Sequence, residues 1–283
     1  MQLFPRPFVF QTMFSELKKP LIIGILNVTP DSFSDGGKFN HLENALEHAQ
    51  SMLLHGATII DIGGESTRPN SDSVSSDEQI ERVLPIIKAI RQHSDVLISI
   101  DTTSSLVAEA ALNAGANIIN DVSSGKNDPK MFTLAAQKNV PIVLMHAQGT
   151  PKTMQENPYY ENVVQDVISA LMQRANEAIK AGVKKENIVL DIGIGFGKRK
   201  QDNLDLLAHL ADFVALGFPV LLGTSRKRFM GMICDVSEPA ELVTATAVTT
   251  ALGVMAGVQL FRVHDVKENK QALDVAWAIK KRE

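Results

Sequence analysis

Cys234 is the only cysteine among 283 residues. No intramolecular disulfide and no cysteine-rich metal centre can form, and a reducing compartment, the cytoplasm, is the expected setting. Charge of one sign is not in excess either. The 28 Lys and Arg against 32 Asp and Glu leave a formal net charge of −4, which excludes a general attraction to nucleic acid or to an anionic membrane surface. Any anionic ligand must be met by a local site. Long unbroken apolar runs are also missing. The most apolar window, Val243 to Phe261, contains Thr244, Thr246, Thr249, Thr250 and Gln259 and is interrupted by Gly253 and Gly257. It reads as a helix followed by a buried strand and not as a membrane span. The run Met1 to Met13 holds one basic residue and no small-residue cleavage site, and it does not read as a signal peptide. No linker, low-complexity tract or block of like charge divides the chain.

What is present is the material of a large core. Hydrophobic residues make up 45% of the chain and charged residues 21%, with a mean hydropathy of +0.02, the balance of a globular protein. Short β-branched runs alternate with amphipathic stretches from end to end. The spacing predicts strands over Leu21 to Leu26, Thr58 to Ile62, Leu97 to Asp101, Asn117 to Asn120, Pro141 to Met145, Ile188 to Asp191, Pro219 to Gly223 and Val258 to Val263. Each is nearly continuously apolar, the mark of a parallel strand covered on both faces. Helical patterns fill the intervals. One face carries Ile80, Val83, Leu84, Ile87 and Ile90 behind a capping box of Ser75 and Glu78; another runs from Val163 to Ile179; a third holds Leu204, Leu207, Leu210 and Val214 with Asp202 as its cap. Eight βα units match an α/β fold of one (β/α)8 TIM barrel over 21–283. An open doubly wound sheet is the other arrangement that such periodicity allows. Residues 1–20 form an N-terminal extension expected to cover the barrel bottom.

In a barrel the chemistry sits where strands end. Asp101, Asn120 and Asp191, at the ends of the third, fourth and sixth strands, suit a flat heterocycle, because a carboxylate accepts two parallel hydrogen bonds from a ring N–H and an adjacent amino group. Asp121 has a plain alternative as the cap of the next helix, with Asn120 merely its neighbour. A second group, Ser225, Arg226, Lys227, Arg262 and His264, follows the seventh and eighth strands and suits phosphate. A helix starting at Thr224 or Ser225 would add its free N–H groups. The competing reading makes Arg226, Lys227 and Arg228 a solvated basic face. Gly193, Gly195 and Gly197 lack the dinucleotide spacing and are expected to let the backbone pass beneath a flat ligand. His41, His48, His55, His93 and His209 carry no assigned chemistry.

The segments Asn27-Val-Thr-Pro-Asp-Ser-Phe-Ser-Asp35-Gly-Gly, Gly63-Gly-Glu-Ser-Thr-Arg-Pro69, Ile118-Ile-Asn-Asp121, Gly223-Thr-Ser-Arg-Lys227 and Arg262-Val-His-Asp265 resemble the signature segments of the dihydropteroate synthase family, in order from about Leu21 to the C-terminus. The resemblance implies a homodimeric barrel enzyme of folate synthesis. It would join 6-hydroxymethyl-7,8-dihydropterin pyrophosphate to p-aminobenzoate with Mg2+, releasing 7,8-dihydropteroate and pyrophosphate, with sulfonamides as inhibitors. Carried over, Asp101, Asn120, Asp191 and Lys227 would bind the pterin, and Met145 and Gly223 would line its pocket. Asn27 would hold the metal, and Arg262 and His264 the pyrophosphate. Thr67, Arg68, Pro69, Phe196 and Ser225 would frame p-aminobenzoate. The chemistry would rest on Asp35, Asp101, Lys227 and Arg262. Arg262 is expected to serve the phosphates alone, and the loops Val28 to Phe39 and Gly64 to Val74 to close over the reaction. The chain departs from the family at Ile192, where proline is usual, and at Asn70, where glycine is usual. A pterin-binding methyltransferase shares the barrel but has little use for a phosphate cluster. A non-catalytic folate-binding module has no need to enclose a leaving group.

Overall fold

Strands that are apolar on both faces need cover on both, and closing a parallel sheet on itself supplies the inner cover from the sheet's own side chains. A computed structural model describes residues 17, 19–28, 38–66, 73–149, 153–154 and 156–282. It contains β1 (Leu21–Asn27), β2 (Ile59–Gly63), β3 (Leu97–Asp101), β4 (Ile118–Asp121), β5 (Ile142–Met145), β6 (Ile188–Asp191), β7 (Val220–Leu222) and β8 (Leu260–Val263). They run parallel in sequence order, and β8 pairs back onto β1 with Leu21 opposite Leu260. That pairing removes the open-sheet alternative. All eight expected strands are found, two with the expected bounds and the others with ends shifted by one or two residues.

The helices are α1 (Lys38–Leu54), α2 (Ser76–His93), α3 (Ser105–Asn113), α4 (Lys130–Lys138), α5 (Val163–Lys180), α6 (Lys200–Ala208), α7 (Leu210–Val214), α8 (Arg228–Cys234), α9 (Val243–Ala256) and α10 (Val266–Lys280). Ser75 caps α2 by accepting from the Glu78 N–H at 3.3 Å, while the Glu78 carboxylate turns to Arg82. The stretch expected as one helix around Leu210 is broken at His209 into α6 and α7. Asp202 does not precede α6; it sits in the first turn and accepts the Arg199 N–H at 2.7 Å. No helix begins at Thr224 or Ser225, because α8 starts only at Arg228. The apolar window after Val243 forms α9 and then β8. Gly257 ends the helix at φ 97°, a conformation that a side chain would strain. Among the described residues no helix is long and apolar enough to cross a membrane.

Strand parity positions the site. Ile23, Ile59, Leu97, Ile118, Val143, Val189, Leu221 and Leu260, one per strand, form an inner layer, and Leu17 packs against it. The larger cluster, with Ile60, Ile98, Ile100 and Leu190, fills the space between strands and helices. Side chains alternate across a strand, so two residues further on the inward set must be Ile25, Asp61, Ser99, Asn120, Met145, Asp191, Gly223 and Arg262. The barrel interior therefore changes in a single step from wholly aliphatic to a level where Asp61, Ser99, Asn120, Asp191 and Arg262 stand among Ile25, Met145 and Gly223. Polar groups buried at that level must find partners or a ligand.

Candidate active site at the barrel mouth

Arg262 is the centre of the polar level. Its Nε donates to Asp61 Oδ2 at 2.6 Å and its Nη2 to Asp101 Oδ2 at 2.7 Å. Asn120 Nδ2 donates to the same Asp61 carboxylate at 3.3 Å. Burial works against the Arg262 charge, but Asp61 and Asp101 outweigh it and hold the guanidinium well above its ordinary pKa. Burial pushes the Asp101 carboxyl up to about 7; Arg262 opposes that shift, while Asp61, Asp121 and Glu65 add to it. Asp101 Oδ1 is buried and has no hydrogen-bond partner among the described residues. An acceptor left in that state costs about 1–3 kcal/mol, which a ligand N–H would recover.

Asp191 enters from β6. Its Oδ1 accepts the Gly193 N–H at 2.7 Å, and its Oδ2 lies beside Gly223, where a Cβ would stand 4.0 Å away. Burial raises its pKa against the opposing pull of the Gly193 N–H and Lys227. Lys227 Nζ stands 4.1 Å over the Phe196 ring, a cation–π contact that joins the β7 and β6 loops. Met145 is buried in register with Asp191.

The residues expected to hold phosphate make different contacts within the protein, Arg262 with two carboxylates and Lys227 with the Phe196 ring. Ser225 Oγ accepts the His264 N–H at 3.1 Å and meets His264 Nδ1 at 2.9 Å. The tautomer sets the direction of the second contact: where the Ser225 hydroxyl donates to Nδ1, a neutral His264 carries its ring proton on Nε2, a donor suited to an anion. Arg226 is bound in bidentate fashion to Asp265, at 3.0 and 2.6 Å. Of the three consecutive basic residues only Arg228 is exposed, so they are not a solvated face. Asp121 accepts from Ser123 and Gly125 and shapes the turn directly after β4; it does not cap the next helix, because α4 begins only at Lys130, after Pro129.

The glycine loop serves protein packing. Gly193, Gly195 and Gly197 all have positive φ. A Cβ on Gly193 would lie 1.8 Å from the His146 carbonyl oxygen, and one on Gly197 2.2 Å from that of Gln148. The close approach at Gly193 and Gly197 is thus to the β5 loop, whereas a Cβ on Gly195 would stand 3.1 Å from the Lys227 side chain. Lys198, absent from the sequence reading, clamps the same two loops. Its buried Nζ donates to the carbonyls of Gly193 at 2.8 Å, Phe196 at 3.1 Å and His146 at 3.3 Å, and meets His146 Nδ1 at 2.9 Å. Burial brings its pKa down to about 7. Asp61 was also missed, although its inward parity is readable from the strand. Glu65 ties the base of the β2 loop by accepting from Val74 N and Gln79 Nε2, and Gln79 in turn accepts from Thr102. Asn27 ends β1 half-buried, with inward parity. Asp35, Thr67, Arg68, Pro69 and Asn70 lie outside the described residues, as does much of both long loops.

Two opposed pH dependences follow. Folded Asp101 keeps its proton up to about pH 7, whereas an unfolded aspartate releases it near 3.8. The native state binds the extra proton between those values, so this residue makes stability fall as pH rises through that window. Lys198 acts in the next window. The unfolded lysine holds its proton up to about 10.5 and the folded one only to about 7, so stability rises with pH between them. Urea unfolding at stepped pH should lose the first slope in Asp101→Asn and the second in Lys198→Met. Slopes identical to the parent would refute both assignments.

Comparison with known proteins gives a consistent result. The family model described as "Pterin binding enzyme" matches residues 23–264. The chain is 50% identical over 251 residues to the dihydropteroate synthase of Bacillus subtilis, covering 89% of this chain and 85% of that one. It superposes on the Yersinia pestis dihydropteroate synthase in complex with a sulfonamide drug with a TM-score of 0.88 at 43% identity, covering 93% and 95% of the two chains. For the Xanthomonas albilineans dihydropteroate synthase in complex with 7,8-dihydropteroate the TM-score is 0.84 at 38% identity, covering 93% and 94%.

Proposed function

The chain belongs to the pterin-binding enzyme family, and from that membership we infer that it acts as a dihydropteroate synthase, condensing 6-hydroxymethyl-7,8-dihydropterin pyrophosphate with p-aminobenzoate to give 7,8-dihydropteroate and pyrophosphate. The observation that carries this reading within the site is Asp101 Oδ1, a buried acceptor without a partner among the described residues, at the mouth that Asn120 and Asp191 also face. A pterin presents ring N–H and amino donors to such acceptors. Asp191 Oδ2, beside Gly223, is suited to one pair of them.

The reaction needs a leaving group neutralised and a cation tolerated. The bond between the pterin methylene carbon and the pyrophosphate oxygen breaks with its electrons going to oxygen. His264 Nε2–H and the Arg262 guanidinium would meet the growing negative charge. The methylene carbon is left as a cation conjugated with the ring, and ionised Asp101 would stabilise it. The arylamine nitrogen of p-aminobenzoate attacks that carbon and then loses a proton. An arylamine is already nucleophilic, so orientation does the rest. Phe196, Ser225 and, outside the described residues, Thr67, Arg68 and Pro69 would frame this second substrate, with Asp35 on the loop that covers the leaving group. The sulfonamide complex of the Yersinia relative supports binding of sulfonamides in place of p-aminobenzoate.

Among the described residues no three His, Cys, Asp or Glu gather to hold a metal. The amide oxygen of Asn27 is compatible with Mg2+, which takes most of its oxygens from substrate phosphates and water. Bound there, the ion would neutralise charge on the departing pyrophosphate. We place the enzyme in the cytoplasm, in keeping with its single cysteine. We also propose a homodimer. Val248 and Leu252 on α9 and Val275 and Ile279 on α10 are each more than half exposed, and the two helices pack together, which supports a shared apolar contact face.

Pyrophosphate release that requires both the pyrophosphorylated pterin and p-aminobenzoate is the deciding measurement. Release without p-aminobenzoate, or none with both substrates and Mg2+, would overturn the reading. A methyltransferase or a folate-binding module would give none.

A further inference from the structure

Both ligand-facing residues Asn120 and Arg262 are tied to one carboxylate that cannot itself reach a ligand. Asp61 is 1% exposed. It sits two residues before the end of β2, over the aliphatic inner layer and against a cavity of about 10 Å³ shared with Ser99, Asn120 and Arg262. Its Oδ2 accepts from Arg262 Nε at 2.6 Å and from Asn120 Nδ2 at 3.3 Å, and its Oδ1 is 3.5 Å from the same Nδ2. A carboxylate can only accept. Whatever amide orientation Asn120 would otherwise choose, its NH2 group must face Asp61, and its Oδ1 is left toward the mouth as an acceptor. For Arg262, Nε and Nη2 are committed to Asp61 and Asp101, while Nη1 makes no hydrogen bond among the described residues.

We propose that Asp61 is the positioning residue that sets what both groups present to the substrate, an acceptor from Asn120 to the pterin ring and the remaining donor edge of Arg262 to the departing pyrophosphate. This rests on the pterin-and-pyrophosphate reading of the site and deepens it. Asp61 touches neither ligand, and one residue thereby couples two binding functions that come from different strands.

The test uses the full chain and two probes, a pterin without phosphates and inorganic pyrophosphate with Mg2+, each titrated by calorimetry. In Asp61→Asn the new amide confronts two donors with a donor of its own, and affinity should fall about tenfold or more for both probes. In the exchanged pair Asp61→Asn with Asn120→Asp, the amide at 61 donates to the carboxylate at 120 and an acceptor again faces the mouth. Pterin affinity should recover toward wild type while pyrophosphate affinity stays low. A merely structural role predicts no such selective recovery. Affinities within about twofold of wild type in Asp61→Asn, or an exchanged pair no better than the single variant, would overturn the proposal. If the variants do not fold, the wild type decides through the Nε–H resonance of Arg262. That signal should be shifted downfield and protected from exchange with both probes bound, and its loss on binding would equally refute the role. Wild-type protein that binds neither probe would instead count against the function itself.

Discussion

Replacing Arg262 by methionine is expected to destabilise the fold by about 3–5 kcal/mol, because it leaves two buried carboxylates without the cation that pairs them. Asp61 and Asp101 stand on either side of the guanidinium at 2.6 and 2.7 Å, and both are almost fully buried. The loss should depend on pH with a definite sign. Without Arg262, burial and the neighbouring carboxylates raise Asp101 unopposed, so protonation relieves the repulsion and the variant suffers less at pH 5.5 than at pH 8, two values that straddle the pKa of about 7. Urea unfolding of wild type and variant at both values measures it. A loss under about 1 kcal/mol at pH 8 would show that the pair contributes no more than an exposed one. The same geometry corrects the expectation that Arg262 serves the phosphates alone. Its Nη2 holds Asp101, a predicted pterin ligand, so the substitution should weaken binding of a phosphate-free pterin as well as of pyrophosphate.

Asp191→Asn should weaken pterin binding by about 2–5 kcal/mol, roughly 30-fold to several thousandfold. The carboxylate uses Oδ1 on the Gly193 N–H and keeps Oδ2 beside Gly223. An amide can satisfy one of these demands only. If its oxygen stays on Gly193, its NH2 faces a ring donor; if it flips, the buried Gly193 N–H is orphaned. Because Gly193 is locked against His146, where even a Cβ would lie 1.8 Å from the carbonyl oxygen, the backbone cannot turn away. Calorimetry with a pterin is the measurement, and affinity close to wild type would remove Asp191 from the site. Pyrophosphate binding should change much less, since Asp191 has no part in the Ser225–His264 pair.

Much of the barrel and of its polar level was legible from residue order. Eight apolar runs at βα spacing announced the strands, and polar residues stood at or shortly after the end of each run. Period-2 alternation then decides which of those residues look inward: Asp101 and not Thr102, Asn120 and not Asp121, Arg262 and His264 and not Val263. Asp61 obeyed the same rule but stood inside its strand, and attention to strand ends passed over it. The helix expected at Thr224 failed for a local reason. Arg226 takes a positive φ of 57°, held by its bonds to Asp265 and Thr246, and so the helix starts only at Arg228.

Composition and periodicity thus determined the fold class, the strands and the inward set, because these depend on burial and on the two-residue repeat of an extended chain. Pairing was decided by tertiary structure alone. Arg262 meets Asp61 across 201 positions and Asp101 across 161, contacts that exist only once β8 closes on β1 and brings the last strand round to the second and third. Closure made Arg262, expected to serve phosphate alone, the bridge between two buried carboxylates. Pairing of neighbouring strands, β7 with β8 and β5 with β6, gave Arg226 to Asp265 and Lys198 to the carbonyls of two loops. A buried charge takes whichever opposite charge or acceptor the packed backbone sets within reach, and that distance is a property of the closed barrel and not of the order of residues along the chain.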